Sequence, residues 1–350
     1  MGADGTVSTM LGRRIELPVG DGVLSGLDFG GRGPGVLLVH GSGHNAAVWT
    51  DVASRLLDHC RPVAVDLRGH GLSAPTSSTP EQYWRDLGEV VAALEWDRPV
   101  LVGHSTGGYA VTAAAAGSVD AAALCVVDGM VLDDRGTARL AQAQWQGPEA
   151  AERLREMFRY GWRASEQDMH AYVEQCVREA GTGWLNAGAR PELVRRVMRR
   201  SFLRRADGLW ERRPTVEEIA TVSAPDPHAV IYPSVDVYAR VGCPITVVLP
   251  DRGFYAQRRD EVRAVVDAAP DRRLVEIAGN HNVPMTQPSG LAAIIVDLVR
   301  RLPPARELLT PGKPRHWKGH RDAALRSPVG SRVRGRGREG GPLRHRDRAR

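Results

Sequence analysis

The chain has 350 residues, a formal net charge of +6 and 42% hydrophobic side chains, enough for one large α/β domain or two smaller ones. Its apolar runs are far shorter than the roughly 20 residues of a membrane-spanning helix, and its first residues lack a signal-peptide pattern. Four scattered cysteines without a C-x-x-C pair argue against a zinc knuckle, a redox dithiol or a disulfide framework. We therefore expect a cytoplasmic protein without membrane contact.

The positive charge is concentrated at the end of the chain. Residues 303–350 contain 14 Lys or Arg against four Asp or Glu, so the rest of the chain is net negative. Low apolar content and no periodicity predict a basic, disordered tail. Arginine-rich tails can bind nucleic-acid phosphates. Because no binding fold accompanies this charge, the sequence favours a solvated tail over nucleic-acid contact.

The first part of the chain predicts a hairpin followed by alternating strands and helices. The segment RRIELPVGDGVLSGLDF predicts two antiparallel strands that turn at residues 20–22. Helical patterns then alternate with four strand-like runs, PGVLLVH, RPVAVDL, PVLVGH and AALCVVD. This alternation is typical of βαβ units and a parallel sheet.

The pattern changes after this alternation. Between residues 131 and 235, apolar residues such as Met169 and Val173 recur at helical spacing, and no strand-like run appears before PITVVLP. We therefore predict a helical insertion at residues 131–235. It separates two parts of an α/β core, residues 1–130 and residues 236–302, and the second part contains the strand-like runs PITVVLP and RRLVEIAG.

The stretch GHSTG, residues 103–107, fits G-x-S-x-G between a predicted strand and a predicted helix. The turn is so tight that side chains two residues either side of the serine would collide, which explains the glycines. A strained backbone at Ser105 would project its hydroxyl above the sheet as a nucleophile. The following helix directs its N-terminal N–H groups at the same point, so the Thr106 amide can stabilise an oxyanion.

A serine nucleophile needs a base and a second oxyanion donor. His281 is the candidate base because it lies in the loop after the last predicted strand and follows the serine in the chain. The segment VHGSG ends the first parallel strand, so its loop would lie beside the elbow. The backbone N–H of Ser42 is the candidate donor; the alternative is that these glycines only form a tight turn.

In this order, the motifs resemble the α/β-hydrolase fold family. His40-Gly41 follows the third predicted strand, residues 66–73 (DLRGHGLS) follow the fourth, the elbow follows the fifth and the histidine loop follows the eighth. The resemblance implies an eight-stranded, mostly parallel sheet flanked by helices, with the insertion after strand six forming a helical cap, or lid. It also implies a Ser-His-Asp serine hydrolase, esterase-like and without cofactor, and a mainly structural role for residues 66–73.

The acid of such a triad has two candidates. The family commonly places it in a Gly-x-x-Asp loop after the seventh strand, where this chain has Pro-Asp-Arg-Gly at residues 250–253. Asp251 is in that loop but closer to the strand end than the family pattern implies. Asp128 ends the sixth predicted strand, where a minority of the family carries the acid. The sequence leaves Asp128 and Asp251 as equal candidates to orient and stabilise the imidazole.

Other functions remain open at this point. A non-catalytic binding protein of the same fold would explain the unusual loop at Asp251. A dinucleotide-binding oxidoreductase would explain V-x-G-x-G-x-x-A in VHGSGHNA and the next strand ending at Asp66, but it leaves the elbow and His281 unexplained. His40 and His44 stand in a glycine-rich loop rather than on a helix, and we predict no metal site.

The substrate is the least determined feature. Four tryptophans of the insertion are candidates for an apolar pocket, although tryptophans on amphipathic helices more often belong to the core: Trp145, Trp162, Trp184 and Trp210. We expect a small organic molecule with an ester-like bond, such as an ester, a lactone or a thioester.

Overall fold

The computed structural model describes residues 12–302, so the predicted tail at residues 303–350 lies outside the described residues. The strands are β1 (Arg13–Val19), β2 (Gly22–Asp28), β3 (Gly35–Val39), β4 (Arg61–Val65), β5 (Val100–His104), β6 (Ala123–Val127), β7 (Arg163–Ala164), β8 (Phe202–Arg204), β9 (Trp210–Arg212), β10 (Ile245–Arg252) and β11 (Arg272–Asn280). Within residues 12–302, no helix combines the length and apolar character needed to cross a membrane.

Helices connect most of the strands. They are α1 (Thr50–Ala53), α2 (Gln82–Ala93), α3 (Thr106–Gly117), α4 (Arg135–Ala143), α5 (Pro148–Phe158), α6 (Glu166–Glu179), α7 (Pro191–Arg200), α8 (Val216–Val222), α9 (Arg259–Asp267), α10 (Val283–Thr286) and α11 (Pro288–Arg300). Short 3-10 helices occupy Ala46–Trp49, Val235–Arg240 and Ala256–Arg258.

Eight strands form one sheet in the order β1-β2-β4-β3-β5-β6-β10-β11. The pairs β1–β2 and β2–β4 are antiparallel, and all neighbours from β4 to β11 are parallel. The predicted eight-stranded, mostly parallel sheet is therefore confirmed. Because the parallel strands run in one direction, the loops that follow β3, β5, β6, β10 and β11 gather at one edge of the sheet.

The core lies on both faces of this sheet. Leu37 and Val39 of β3 belong to one apolar cluster, and Val36 and Leu38 to another, because successive side chains of a strand point to opposite faces. Helices α2 and α3 cover the first cluster and α11 covers the second. Burial on both faces explains why the central strands are continuous apolar runs in the sequence.

The insertion between β6 and β10 contains five helices, α4 to α8. It also contains a three-stranded antiparallel sheet in the order β7-β9-β8, which the predicted helical insertion did not include. These strands have only two or three residues each. Such short strands are not long enough to show the two-residue alternation that identifies a strand in a sequence.

Polar contacts attach the insertion to the loop after β3 and to the end of β4. Arg190 pairs with the buried carboxylate of Asp51, and Arg200 pairs with that of Asp66. The side-chain amide of Asn45 donates to a backbone carbonyl of α7 at 2.8 Å. The insertion therefore packs against the end of the sheet at which the predicted site residues lie.

Candidate active site

Ser105 lies at the junction of β5 and α3 in a strained backbone conformation. Its φ is 54° and its ψ is −126°, a combination that L-residues rarely adopt. A Cβ at Gly103 would overlap the carbonyl oxygen of Gly107, so the chain cannot turn this sharply with a larger residue there. The predicted elbow is present, and it leaves Ser105 partly accessible to solvent.

The two predicted oxyanion residues lie side by side. Thr106 is the first residue of α3, so its backbone N–H has no partner within the helix. Ser42, in the loop after β3, places its hydroxyl oxygen 3.0 Å from that of Thr106. The loop after β3 therefore borders the serine as the sequence suggests.

His281 forms a buried pair with Asp128. The imidazole Nδ1 is 2.6 Å from a carboxylate oxygen of Asp128, and the two side chains are only 7% and 0% exposed. The same oxygen accepts the backbone N–H of Phe254 at 2.8 Å. An acceptor on Nδ1 places the ring proton there and leaves Nε2 unprotonated in the neutral imidazole, which is the form a general base needs.

The structure does not bring Asp251 to His281. Its carboxylate accepts the backbone N–H of Gly279 at 2.8 Å, lies 3.6 Å from the Arg252 guanidinium, and is 51% exposed. Because β10 continues through Arg252, Asp251 stays on the strand instead of turning toward the histidine loop. The expectation that treated Asp251 as an equal candidate is corrected in favour of Asp128.

His104 connects the elbow to the histidine loop. Its Nε2 lies 2.8 Å from the His281 carbonyl oxygen, and the two rings are 4.7 Å apart. Burial, with His281 close by, holds the pKa of His104 well below its ordinary value, so the neutral ring donates to this carbonyl. Among the described residues, no hydrogen bond joins the Ser105 hydroxyl to His281. Such bonds are often long in free enzymes and shorten when substrate binds.

Residues 66–73 have the structural role that the resemblance implies. The fully buried Asp66 carboxylate accepts the backbone N–H groups of Ala46 at 2.7 Å and Leu72 at 2.9 Å, and it also pairs with Arg200. Arg68 donates to Asp86 from within the core. Because both oxygens of Asp66 are engaged by protein groups, Asp66 is not available to bind a ribose.

Comparison with known proteins identifies the family. Residues 36–294, well over half of the chain, match the family model described as "Alpha/beta hydrolase family". The chain belongs to this family. The alternative of a dinucleotide-binding oxidoreductase is therefore wrong, and the glycines of VHGSGHNA form the loop beside the elbow.

Individual relatives match less of the chain. Protein phosphatase methylesterase 1 of Mus musculus is 41% identical over 109 residues, which are 28% of this chain and 28% of that protein. The chain thus spans little more than a quarter of that curated relative. Two solved structures share the fold. E-2-(acetamidomethylene)succinate hydrolase is 21% identical with a TM-score of 0.64, and the match covers 83% of this chain and 99% of that one. A thioesterase domain from the curacin biosynthetic pathway is 19% identical with a TM-score of 0.60, and the match also covers 83% of this chain and 99% of that one.

Two aromatic residues whose proximity to His281 the sequence did not predict lie beside it. The Phe254 ring stacks on the imidazole with 3.7 Å between ring centroids and 21° between planes. Trp184 of the insertion lies 5.6 Å from Phe254. Trp184 was named only as a possible pocket residue, and Phe254 was not named at all, because both contacts join segments far apart in the chain.

Tyr160, also from the insertion, contacts the loop after β3. Its hydroxyl lies against Gly43, so closely that a Cβ there would overlap it. Burial raises the pKa of Tyr160 to about 12, which keeps the hydroxyl protonated. The insertion therefore reaches the site at Tyr160 and at Trp184, on two separate segments.

His40, one of the two histidines considered for a metal, is held by hydrogen bonds within the fold. His40 is fully buried, its Nδ1 lies 2.8 Å from the Gly41 carbonyl oxygen, and its Nε2 accepts the Leu67 N–H at 3.0 Å. Burial lowers the pKa of His40 to about 3, so this ring is neutral. Within residues 12–302, no group of three or more His, Cys, Asp or Glu side chains is arranged to hold a metal ion.

Proposed function

We propose that this protein is a serine hydrolase that cleaves an ester-like bond, in an ester, lactone or thioester, of a small organic substrate. The observation that carries the proposal is the buried 2.6 Å contact between His281 and Asp128, on the same edge of the sheet as the strained Ser105. Family membership and the methylesterase among its relatives support hydrolysis of this bond class.

The proposed mechanism follows from the position of each group. His281 Nε2 takes the proton of the Ser105 hydroxyl as the oxygen attacks the substrate carbonyl. The backbone N–H groups of Ser42 and Thr106 stabilise the tetrahedral oxyanion. Asp128 stabilises the imidazolium, which then protonates the leaving group. Water, activated by His281, releases the acyl group from Ser105.

We further propose that residues 131–235 cap this site. Tyr160 against the loop after β3 and Trp184 beside Phe254 support this role. A cap of this kind limits the entry of water and shapes the pocket for one substrate. In this proposal, residues 1–130 and 236–302 form the α/β core.

A cytoplasmic location is also part of the proposal. All four cysteines are free. Burial raises the pKa values of Cys60 and Cys125 to about 12, so these thiols stay protonated and unreactive. Unpaired thiols of this kind support a reducing compartment.

The decisive experiment tests the nucleophile directly. We expect a fluorophosphonate probe to label Ser105, as located by peptide mass spectrometry, and the protein to hydrolyse p-nitrophenyl acetate. Ser105→Ala should abolish labelling and lower kcat by at least about a thousand-fold, because removing a triad member leaves only the oxyanion donors and binding. Circular dichroism checks that the variant folds. Absence of both labelling and hydrolysis in the wild type would instead favour a non-catalytic binding protein of this fold.

A further inference from the structure

Phe254 and Trp184 form an exposed apolar surface next to the catalytic imidazole. Their side chains are 55% and 57% exposed, although aromatic rings of this size gain most by burial. They lie 5.6 Å apart, and Phe254 stacks on His281. Adjacent exposed aromatic residues commonly mark a binding surface.

The position beside His281 indicates which part of a substrate meets this surface. In the proposed mechanism, the leaving group takes its proton from His281 Nε2, so its first atom must lie within hydrogen-bond distance of that nitrogen. The acyl carbonyl instead lies between Ser105 and the backbone N–H groups of Ser42 and Thr106. Apolar surface that continues from the imidazole ring therefore borders the alcohol or thiol part of the substrate.

Hydrogen bonds connect Phe254 to Asp128 and the segment around Trp184 to the segment around His281. The backbone N–H of Phe254 donates to Asp128 at 2.8 Å. The Asn280 side-chain amide donates to the Trp184 carbonyl at 2.7 Å, and that of Asn282 donates to the Asn186 side chain at 2.8 Å. These bonds hold the backbone at both residues before substrate binds, which reduces the entropy lost on binding.

We propose that Phe254 and Trp184 form a subsite for a large apolar leaving group, preferably an aromatic one. This inference rests on the proposed function and adds a substrate class to it. The preferred substrates are esters or thioesters whose alcohol or thiol part carries a ring that stacks on Trp184 while its oxygen or sulfur faces His281. The acyl part is not specified by this surface.

The test compares 2-phenylethyl acetate with ethyl acetate. The two esters share the acyl group and have alcohols of similar acidity, so the ratio of their kcat/KM values reports contacts with the leaving group. The wild type should favour the phenylethyl ester. Trp184→Ala should lower the ratio about ten-fold, within the range expected for a lost aromatic contact together with the apolar area it buries.

Trp145→Ala is the matched control. Trp145 is 50% exposed, also belongs to the insertion, and makes no aromatic contact with Phe254 or His281. This variant should keep the wild-type ratio. Phe254→Leu, which keeps an apolar side chain and the backbone N–H to Asp128, should lower the ratio in the same direction as Trp184→Ala.

The outcomes separate this inference from the function on which it rests. If the wild type hydrolyses both esters and Trp184→Ala leaves the ratio unchanged, the subsite is wrong while the hydrolase assignment stands. An equal fall of the ratio in Trp145→Ala would also overturn the subsite, because any exposed tryptophan would then act alike. If the wild type hydrolyses neither ester and Ser105 is not labelled, the proposed function fails and the subsite with it.

Discussion

Asp128 is held in place by its backbone conformation and by the hydrogen bonds of its carboxylate. Its φ is 41°, an uncommon value for a residue other than glycine, and such strain is concentrated at functional sites. The carboxylate accepts the backbone N–H groups of Phe254 at 2.8 Å and Tyr255 at 3.4 Å, and it lies 2.6 Å from the imidazole of His281. A Cβ at Gly253 would overlap this carboxylate, so the glycine in the Pro-Asp-Arg-Gly loop allows the loop to approach the acid.

Replacing the two candidate acids separately tests this assignment. Asp128→Asn should lower kcat for p-nitrophenyl acetate by about a thousand-fold or more, because an amide cannot stabilise the imidazolium and can impose the wrong tautomer. Asp251→Asn is the matched control and should stay within about two-fold, since its carboxylate is exposed and bonds to Gly279. A comparable loss in both variants would contradict the assignment.

Single residues could be predicted from the sequence where their signal is local. Ser105 was found because the elbow requires glycines within two residues of it, next to an apolar strand. The choice between Asp128 and Asp251 depended on how far β10 extends before it turns, which no local pattern reports. Phe254 was missed because its contact with His281 depends on how the loops after two neighbouring strands, β10 and β11, fold against each other.

At the level of elements, α7 is attached to the core by a buried ion pair. Arg200 lies 2.8 Å from Asp66, and the two side chains are 11% and 0% exposed. The same carboxylate accepts the backbone N–H of Ala46, the first residue of the 3-10 helix that follows β3. Removing one partner would leave a buried charge without compensation, which is costly in a medium of low polarity.

The variant Arg200→Met should therefore lower the free energy of unfolding by about 3 kcal/mol. The exposed pair of Arg301 and Asp297, with side chains 63% and 44% exposed, provides the control. Arg301→Met should cost less than about 1 kcal/mol, because water screens surface pairs. Urea unfolding followed by circular dichroism measures both; equal losses would show that the buried pair contributes nothing beyond a surface pair.

Elements were predicted best where their periodicity is long and uniform. The parallel strands were recognised because burial on both faces makes them continuous apolar runs. The helix expected after β3 is instead a 3-10 turn, Ala46–Trp49, followed by the short α1. Strands β7 to β9 were missed because they pair over only two or three positions.

For the whole molecule, four histidines with lowered pKa values make the fold sensitive to acid. Burial lowers the pKa of His44 to about 3, and three further histidines are more deeply buried. His40, His70 and His104 are at most 4% exposed. Burial lowers the pKa values of His40 and His70 to about 3 and holds that of His104 well below its ordinary value. In the unfolded chain each histidine binds a proton near pH 6.5. The unfolded state thus binds more protons below that pH, and stability falls as the pH falls.

As the pH falls below about 6, each of these histidines should lower the free energy of unfolding by about 1.4 kcal/mol per pH unit. The full effect lies between pH 6.5 and pH 3, and above pH 6.5 the contribution is constant. His70→Asn, whose amide can replace the Nδ1 contact with the Arg68 carbonyl, should reduce the summed slope of the four histidines by about a quarter. Urea unfolding at pH 7.5, 6.0 and 5.0 measures it; parallel pH curves for wild type and variant would refute the explanation.

The hydrogen bonds from Asn280 and Asn282 to the segment around Trp184 have a consequence for engineering. Through these bonds the insertion helps to hold the segment around His281 in place. The insertion therefore cannot be exchanged without affecting that segment. A chimera that receives the corresponding segment of another family member would lose the Asn186 side-chain acceptor and the Trp184 ring, and it would keep the backbone acceptor at position 184 only where the new segment follows the same path. Transplants that retain residues 183–188 of this chain should preserve turnover where complete exchanges do not.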